Sequence, residues 1–159
     1  METKVIIFLE SFCIEHATPE NQLAYLEMEV MENHVGSKFG RVYGQRQFFG
    51  NDQLKVIQDI IKSDRPKWVI GMFDSATILL KIRLQRKILV NPTITFNDLN
   101  NVTEFDRRNT YGFFDADHEA DYALFQKVYT NSAWYANTTR LRLSDIETEI
   151  KEIIENYGY

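Results

Sequence analysis

Few residues in this 159-residue chain are of a type and spacing that could do chemistry. Ser75 closes the frame Gly71-Met72-Phe73-Asp74-Ser75, where a buried strand runs into a helix through a tight turn. His118 stands three residues after Asp115 and directly after Asp117. Ser75, His118 and one of these aspartates would supply a hydroxyl nucleophile, a base and an orienting acid, and triads are recognised by geometry, not chain order. The same residues also fit a plain structural role, with Ser75 or Asp74 capping the helix and His118 a polar loop residue. Cys13, with His16 close by in sequence, is the other candidate nucleophile. A lone cysteine more often packs as a small hydrophobe, and reactivity would require a lowered pKa.

Two further clusters invite a ligand reading. Asp115-Ala116-Asp117-His118-Glu119-Ala120-Asp121 is the densest set of possible metal ligands. It lacks the glycine and distal glutamate of a calcium loop and the paired histidines of a zinc helix. The acidic residues near Glu119 better suit the N-terminus of the following helix, so no metal is expected. Gly40, Gly44 and Gly50 match no phosphate-binding fingerprint, and no cofactor is expected either. The stretch around them reads as a turn-rich loop. Its Phe48 and Phe49, with Glu10, Ser11, Phe12 and Phe73, are the candidate binding residues, because open α/β sheets take ligands at the C-terminal strand ends.

Alternating elements must position these residues. Residues 5–9 form a continuous apolar run, as expected of a strand covered on both faces. Thr18-Pro19 opens a helix whose Leu23, Leu26, Met28, Val30 and Met31 give it an apolar stripe to about His34, with Gly36 as its stop. A short strand over 40–44 follows, then a helix capped by Asn51 or Asp52 and ended at Pro66. The strand from Lys67 leads through Phe73 into a helix over 76–85 and a further strand over 87–91, closed by Pro92. Residues 93–108 read as a loop or short helical excursion above the C-terminal strand ends. A strand over 110–114, a helix over 119–129 and a strand over 133–137 come next. Ser144-Asp145-Ile146-Glu147 is a capping box opening a last helix to about Tyr157, with Ile146, Ile150, Ile153 and Ile154 inward. The expected fold is one α/β domain over residues 1–159: a three-layer sandwich, its mainly parallel sheet of about six strands flanked by helices on both faces.

Composition narrows the partners. Hydrophobic residues make up 44% and aromatics 13%, which suits a packed core and not disorder. A net charge of -5 disfavours nucleic acid and anionic membrane surfaces. The basic run from Lys81 to Lys87 reads as the solvated side and C-terminal end of a helix. A single cysteine excludes an internal disulfide, and no signal peptide or membrane span is visible, so a cytoplasmic location is expected.

The order of elements, the strand-turn-helix around Phe73, the Asn91-Pro92 strand end and the segment 111–119 together resemble the α/β-hydrolases, specifically their small, lid-less, esterase-like members. The resemblance implies four functional pieces. A His-Gly pair after the first strand should help build the oxyanion hole, but that place reads Glu10-Ser11-Phe12, and a carboxylate there would repel a developing oxyanion. The nucleophile position is Phe73. The acid would be Asp115 or Asp117. The histidine should fall within residues 137–142, yet no histidine follows His118. The resemblance therefore implies a pseudoenzyme kept as a binding or regulatory module for an unknown protein or small molecule. A residual hydrolase using Ser75 or Cys13 with His118 is the alternative, and an acidic inhibitor or immunity-type protein is a third.

Overall fold

The computed structural model describes residues 4–11, 18–48 and 50–157. Phe12, Cys13, His16 and Phe49 lie outside the described residues. The strands are β1 (Val5–Phe8), β2 (Arg41–Tyr43), β3 (Trp68–Met72), β4 (Arg86–Val90), β5 (Thr110–Asp115) and β6 (Asn131–Tyr135). They form one sheet in the order β2-β1-β3-β4-β5-β6, and every neighbouring pair is parallel.

Pairing on both sides explains why the central strands β1 and β3 read as unbroken apolar runs, which the outer β2 and β6 do not. Val5, Ile7, Trp68, Ile70, Ile88 and Val90 face one layer, while Ile6, Phe8, Val69 and Leu89 face the other. The first layer is closed by α1 (Pro19–Gly36) and α7 (Glu147–Tyr157), the latter through Ile150 and Ile153. The second is closed by α3 (Gln53–Asp64), α4 (Asp74–Leu80) and α6 (Glu119–Phe125), through Ile57, Leu79 and Phe125. Fully burying one such side chain stabilises the fold by about 1.5–3 kcal/mol, so both layers are strongly held. The architecture is a three-layer α/β sandwich, as the alternation predicts.

Several local expectations are corrected. The region after β2 is not only turn: it holds the one-turn helix α2 (Gln45–Phe48), and the candidate binding residue Phe48 is buried against the second layer. The helix expected over 76–85 begins at Asp74 and ends at Leu80. Residues 81–84 are a turn, closed where Leu84 adopts a φ of 60°. Lys81 is the C-cap of α4, so only the start of the basic run marks a helix end, and its last member Lys87 is wholly buried on β4. The last capping arrangement starts at Arg142, whose N–H donates to the Asp145 carboxylate at 2.8 Å, and not at Ser144. Residues 93–108 begin above the C-terminal strand ends. They then descend through α5 (Glu104–Asn109), whose Asp106 pairs with Lys87 near the start of β4. The largest difference concerns α1: Leu23, Leu26, Val30 and Met31 face outward, while Glu32 is buried. Among the described residues, no helix is long and apolar enough to cross a membrane.

Candidate functional site

With all strands parallel, their C-terminal ends share one edge, and the chain order reverses at β1, between β2 and β3. Ligands of open α/β sheets bind at such a reversal. The turn from β3 into α4 reaches this edge with Phe73 at its apex.

Phe73 has φ 56° and ψ -115°, a conformation that costs a non-glycine residue on the order of 1–3 kcal/mol. The surrounding bonds enforce it. Its N–H donates to the Val90 carbonyl at 2.8 Å, and its own carbonyl accepts the Thr77 N–H at 3.0 Å and the Thr77 hydroxyl at 3.2 Å. Gly71 allows α4 to fold back on its own strand. A Cβ there would sit 2.5 Å from Leu79 Cδ1 and 3.0 Å from the Ala76 nitrogen. The result is a sharp elbow that presents a phenyl ring.

Ser75 sits two residues past the apex, in the first turn of α4, and is fully buried. Its hydroxyl donates to the Leu9 carbonyl at 2.7 Å and accepts from Gln53 Nε2 at 3.0 Å, stapling β1, α3 and α4. Asp74 anchors the loop after β1: its carboxylate accepts the Ser11 N–H at 3.0 Å and the Ser11 hydroxyl.

Asp115 ends β5 with its carboxylate out of solvent. It accepts from Asn91 Nδ2 at 2.7 Å, Leu141 N–H at 2.9 Å, Asp117 N–H at 3.0 Å and His118 Nδ1 at 2.9 Å. Burial pushes its pKa up, but the bonds from His118, Leu141, Asn91 and Asp117 outweigh that and hold it below the ordinary value. His118, partly exposed, leans edge-on against Phe73 with ring centroids 6.2 Å apart. Asp115 and His118 therefore form a bonded pair beside the elbow apex. Ser75 makes its bonds elsewhere. Asp117 contributes its backbone to the pair and not its carboxylate.

The remaining member is Arg140, on the loop after β6, with φ 52°. Its guanidinium lies 4.9 Å above the Phe73 ring and 5.8 Å from the Tyr25 ring. It donates to the Glu10 carboxylate and, through Nε, to Met28 Sδ at 3.2 Å. Burial raises the pKa of Glu10, which Arg140 only partly offsets, and Asp74 and Glu29 push it the same way. This ion pair bridges the loops after β1 and β6 and covers Phe73. The space left among Leu9, Glu10, Tyr25, Phe73 and Arg140 is about 30 Å³. Water fits such a volume, whereas ligand pockets run to several hundred Å³.

The sequence offers Phe73 with Asp115 or Asp117 as vestigial positions, Ser75 or Cys13 with His118 as the alternative, and Glu10 among the binding residues. Of these the structure gathers Glu10, Phe73, Asp115 and His118 around the apex and turns the Ser75 hydroxyl away. Arg140 was missed, although its place between the last strand and the last helix was the available signal. Asn91, read as a strand end, is also a partner of Asp115. Of the segment 115–121, Asp121 turns away to accept the Ile94 N–H at 2.9 Å. Among the described residues, no three His, Cys, Asp or Glu side chains converge as metal ligands. No family model, curated protein or solved structure matches this chain.

Proposed function

We propose that this chain is an α/β-hydrolase-fold protein without hydrolase chemistry, working as a binding or regulatory module. Phe73 carries the reading. It occupies a strained strand-to-helix apex of the kind that lifts a nucleophile oxygen above the sheet, yet it offers a ring with no nucleophilic atom. The other places support the same conclusion. A carboxylate, Glu10, follows β1 where oxyanion donors would be needed. An acid, Asp115, ends β5, and Arg140 stands on the loop where a base would hang. The ion pair of Arg140 with Glu10 then closes over the ring.

One observation favours a second reading, a residual hydrolase: the Asp115–His118 pair is assembled and lies against the apex. The Ser75 hydroxyl does not serve it, because it is buried and donates to Leu9.

The test is labelling with a fluorophosphonate serine probe, alongside a panel of short-chain aryl esters. The native protein is expected to remain unlabelled and inert. Label gained only by the Phe73→Ser variant, and lost again in Phe73→Ser/His118→Ala, is the expected support for the elbow assignment. Native labelling that maps to Ser75 would overturn the dead-enzyme reading.

A further inference from the structure

Helix α1 is turned inside out. Leu23 is 65% exposed, Val30 70%, Met31 53% and Leu26 43%, whereas Glu32 is buried at 7%. A surface helix normally lays its apolar stripe on the core and keeps its acids in water. The four apolar residues follow one another at i, i+3, i+7 and i+8, so they share one face. The exposed acids on that face are Glu20 and Glu27, its one basic residue is His34 at the C-terminal end, and α1 holds no lysine or arginine. Arg140 and Arg142 border the face beside Met31, with Arg140 already paired to Glu10.

We infer that this outer face of α1 docks an amphipathic helix of a partner protein, one whose apolar stripe is flanked by lysines or arginines. Recognition of a helix through i, i+3, i+4, i+7 anchors needs an apolar strip such as this one. The sign of the flanking charge then selects the partner, since complementary potentials speed encounter and like charges penalise wrong pairings. A second copy of the chain is the poorer occupant for that reason. Glu27 lies midway along the stripe, between Leu23 and Met31, so pairing the face with itself brings Glu27 against Glu27. The inference depends on the binding-module reading only for the existence of a partner. The chemistry at Phe73 does not enter.

The experiment titrates the purified full chain into a fluorescently labelled Leu/Lys peptide of about four helical turns, with leucines at helical spacing, and follows anisotropy. Saturable one-to-one binding is expected, weakened by about ten-fold or more in a Leu/Glu peptide of the same pattern and in a scrambled Leu/Lys peptide. Val30→Glu and Leu23→Glu should each lose a similar factor while keeping the parent's melting temperature, because neither side chain is packed. Glu27→Lys should reverse the preference between the two peptides. Absence of saturable binding, or binding indifferent to Val30→Glu, would overturn the inference. So would a concentration-dependent dimer in sedimentation velocity that Val30→Glu abolishes, which would assign the face to a second copy. The fluorophosphonate result is independent of each of these outcomes.

Discussion

Asp115 is where the site's polar bonds converge, and single residues can be weighed there. Four donors from three separate segments end on one buried carboxylate. Asp115→Ala strands them in a water-poor place and is expected to cost about 3 kcal/mol or more in urea unfolding. The pH dependence has a defined sign. The folded-state pKa of Asp115 is lowered, so its contribution is present above the ordinary aspartate pKa and is lost as pH falls through the lowered value. In Asp115→Asn, part of the acid-limb loss of stability should disappear. An acid limb identical to the parent's would remove Asp115 from that account. Arg140 is the contrasting case. Its partner Glu10 is only partly buried and its ring contacts are to Phe73 and Tyr25, so Arg140→Ala should cost about 1 kcal/mol or less in stability. Its main effect should be to open the covered space over Phe73, read as faster quenching of a fluorinated phenylalanine at position 73 by a soluble paramagnetic agent. Unchanged quenching would mean that Arg140 does not cover the ring.

Among the elements, the start of β4 shows how a polar device can hold a turn in register. Lys87 points the same way as Leu89, and its ammonium group has no solvent contact. It lies 3.6 Å from Asp106 and donates to the Ile82 carbonyl. Asp106 in turn accepts the Leu84 N–H at 2.9 Å and the Thr103 hydroxyl at 3.0 Å, which ties the 81–84 turn to α5. Burial pulls the Lys87 pKa from 10.5 down to about 8, which Asp106 opposes and Arg83 reinforces. Between those two values the unfolded chain binds the extra proton, so this group makes stability rise with pH across the window from about 8 to 10.5. Lys87→Met should remove that rise. At neutral pH it should also cost about 3 kcal/mol by leaving Asp106 unpaired, and Lys87→Met/Asp106→Asn should recover most of the loss. Additive single and double variants would mean the pair is not coupled. None of this was legible in the sequence, where Lys, Ile, Arg and Leu at 81–84 follow the helix with no glycine or proline to mark its end. The central strands β1 and β3 were legible because pairing and covering on both sides demand apolar runs, and the elbow because Gly71 and Phe73 sit at a strand-to-helix junction. What failed was orientation. Helical spacing locates a stripe on α1 but does not say which side faces the sheet, and a buried acid such as Glu32 is tolerable because the Leu143 N–H meets it at 3.0 Å.

For the whole molecule, that inversion sets an unusual pH profile. Burial raises the pKa of Glu32, which the Leu143 N–H and Arg142 only partly offset, and burial raises that of Glu10 as well. For both groups the folded chain keeps its proton to higher pH than the unfolded chain does. Stability therefore falls as pH rises from the ordinary glutamate range through the raised values. Asp115 acts in the opposite sense, but only at lower pH. Net charge points the same way as the glutamates: at -5 near neutrality the chain repels itself, and that repulsion fades towards its isoelectric point of about 5.2. The contribution of these groups should accordingly make the melting temperature higher at mildly acidic pH than at neutrality. Glu32→Gln keeps an oxygen for the Leu143 N–H and drops the buried charge. It should raise the melting temperature at pH 7 while leaving it nearly unchanged at pH 4.5, with Glu10→Gln adding a smaller gain because Arg140 then loses its counterion. Scanning calorimetry from pH 4 to 8 on the three proteins decides the matter. A parent maximum at pH 7 or above, or a Glu32→Gln protein less stable at pH 7, would show that the inward glutamates stabilise the fold as anions.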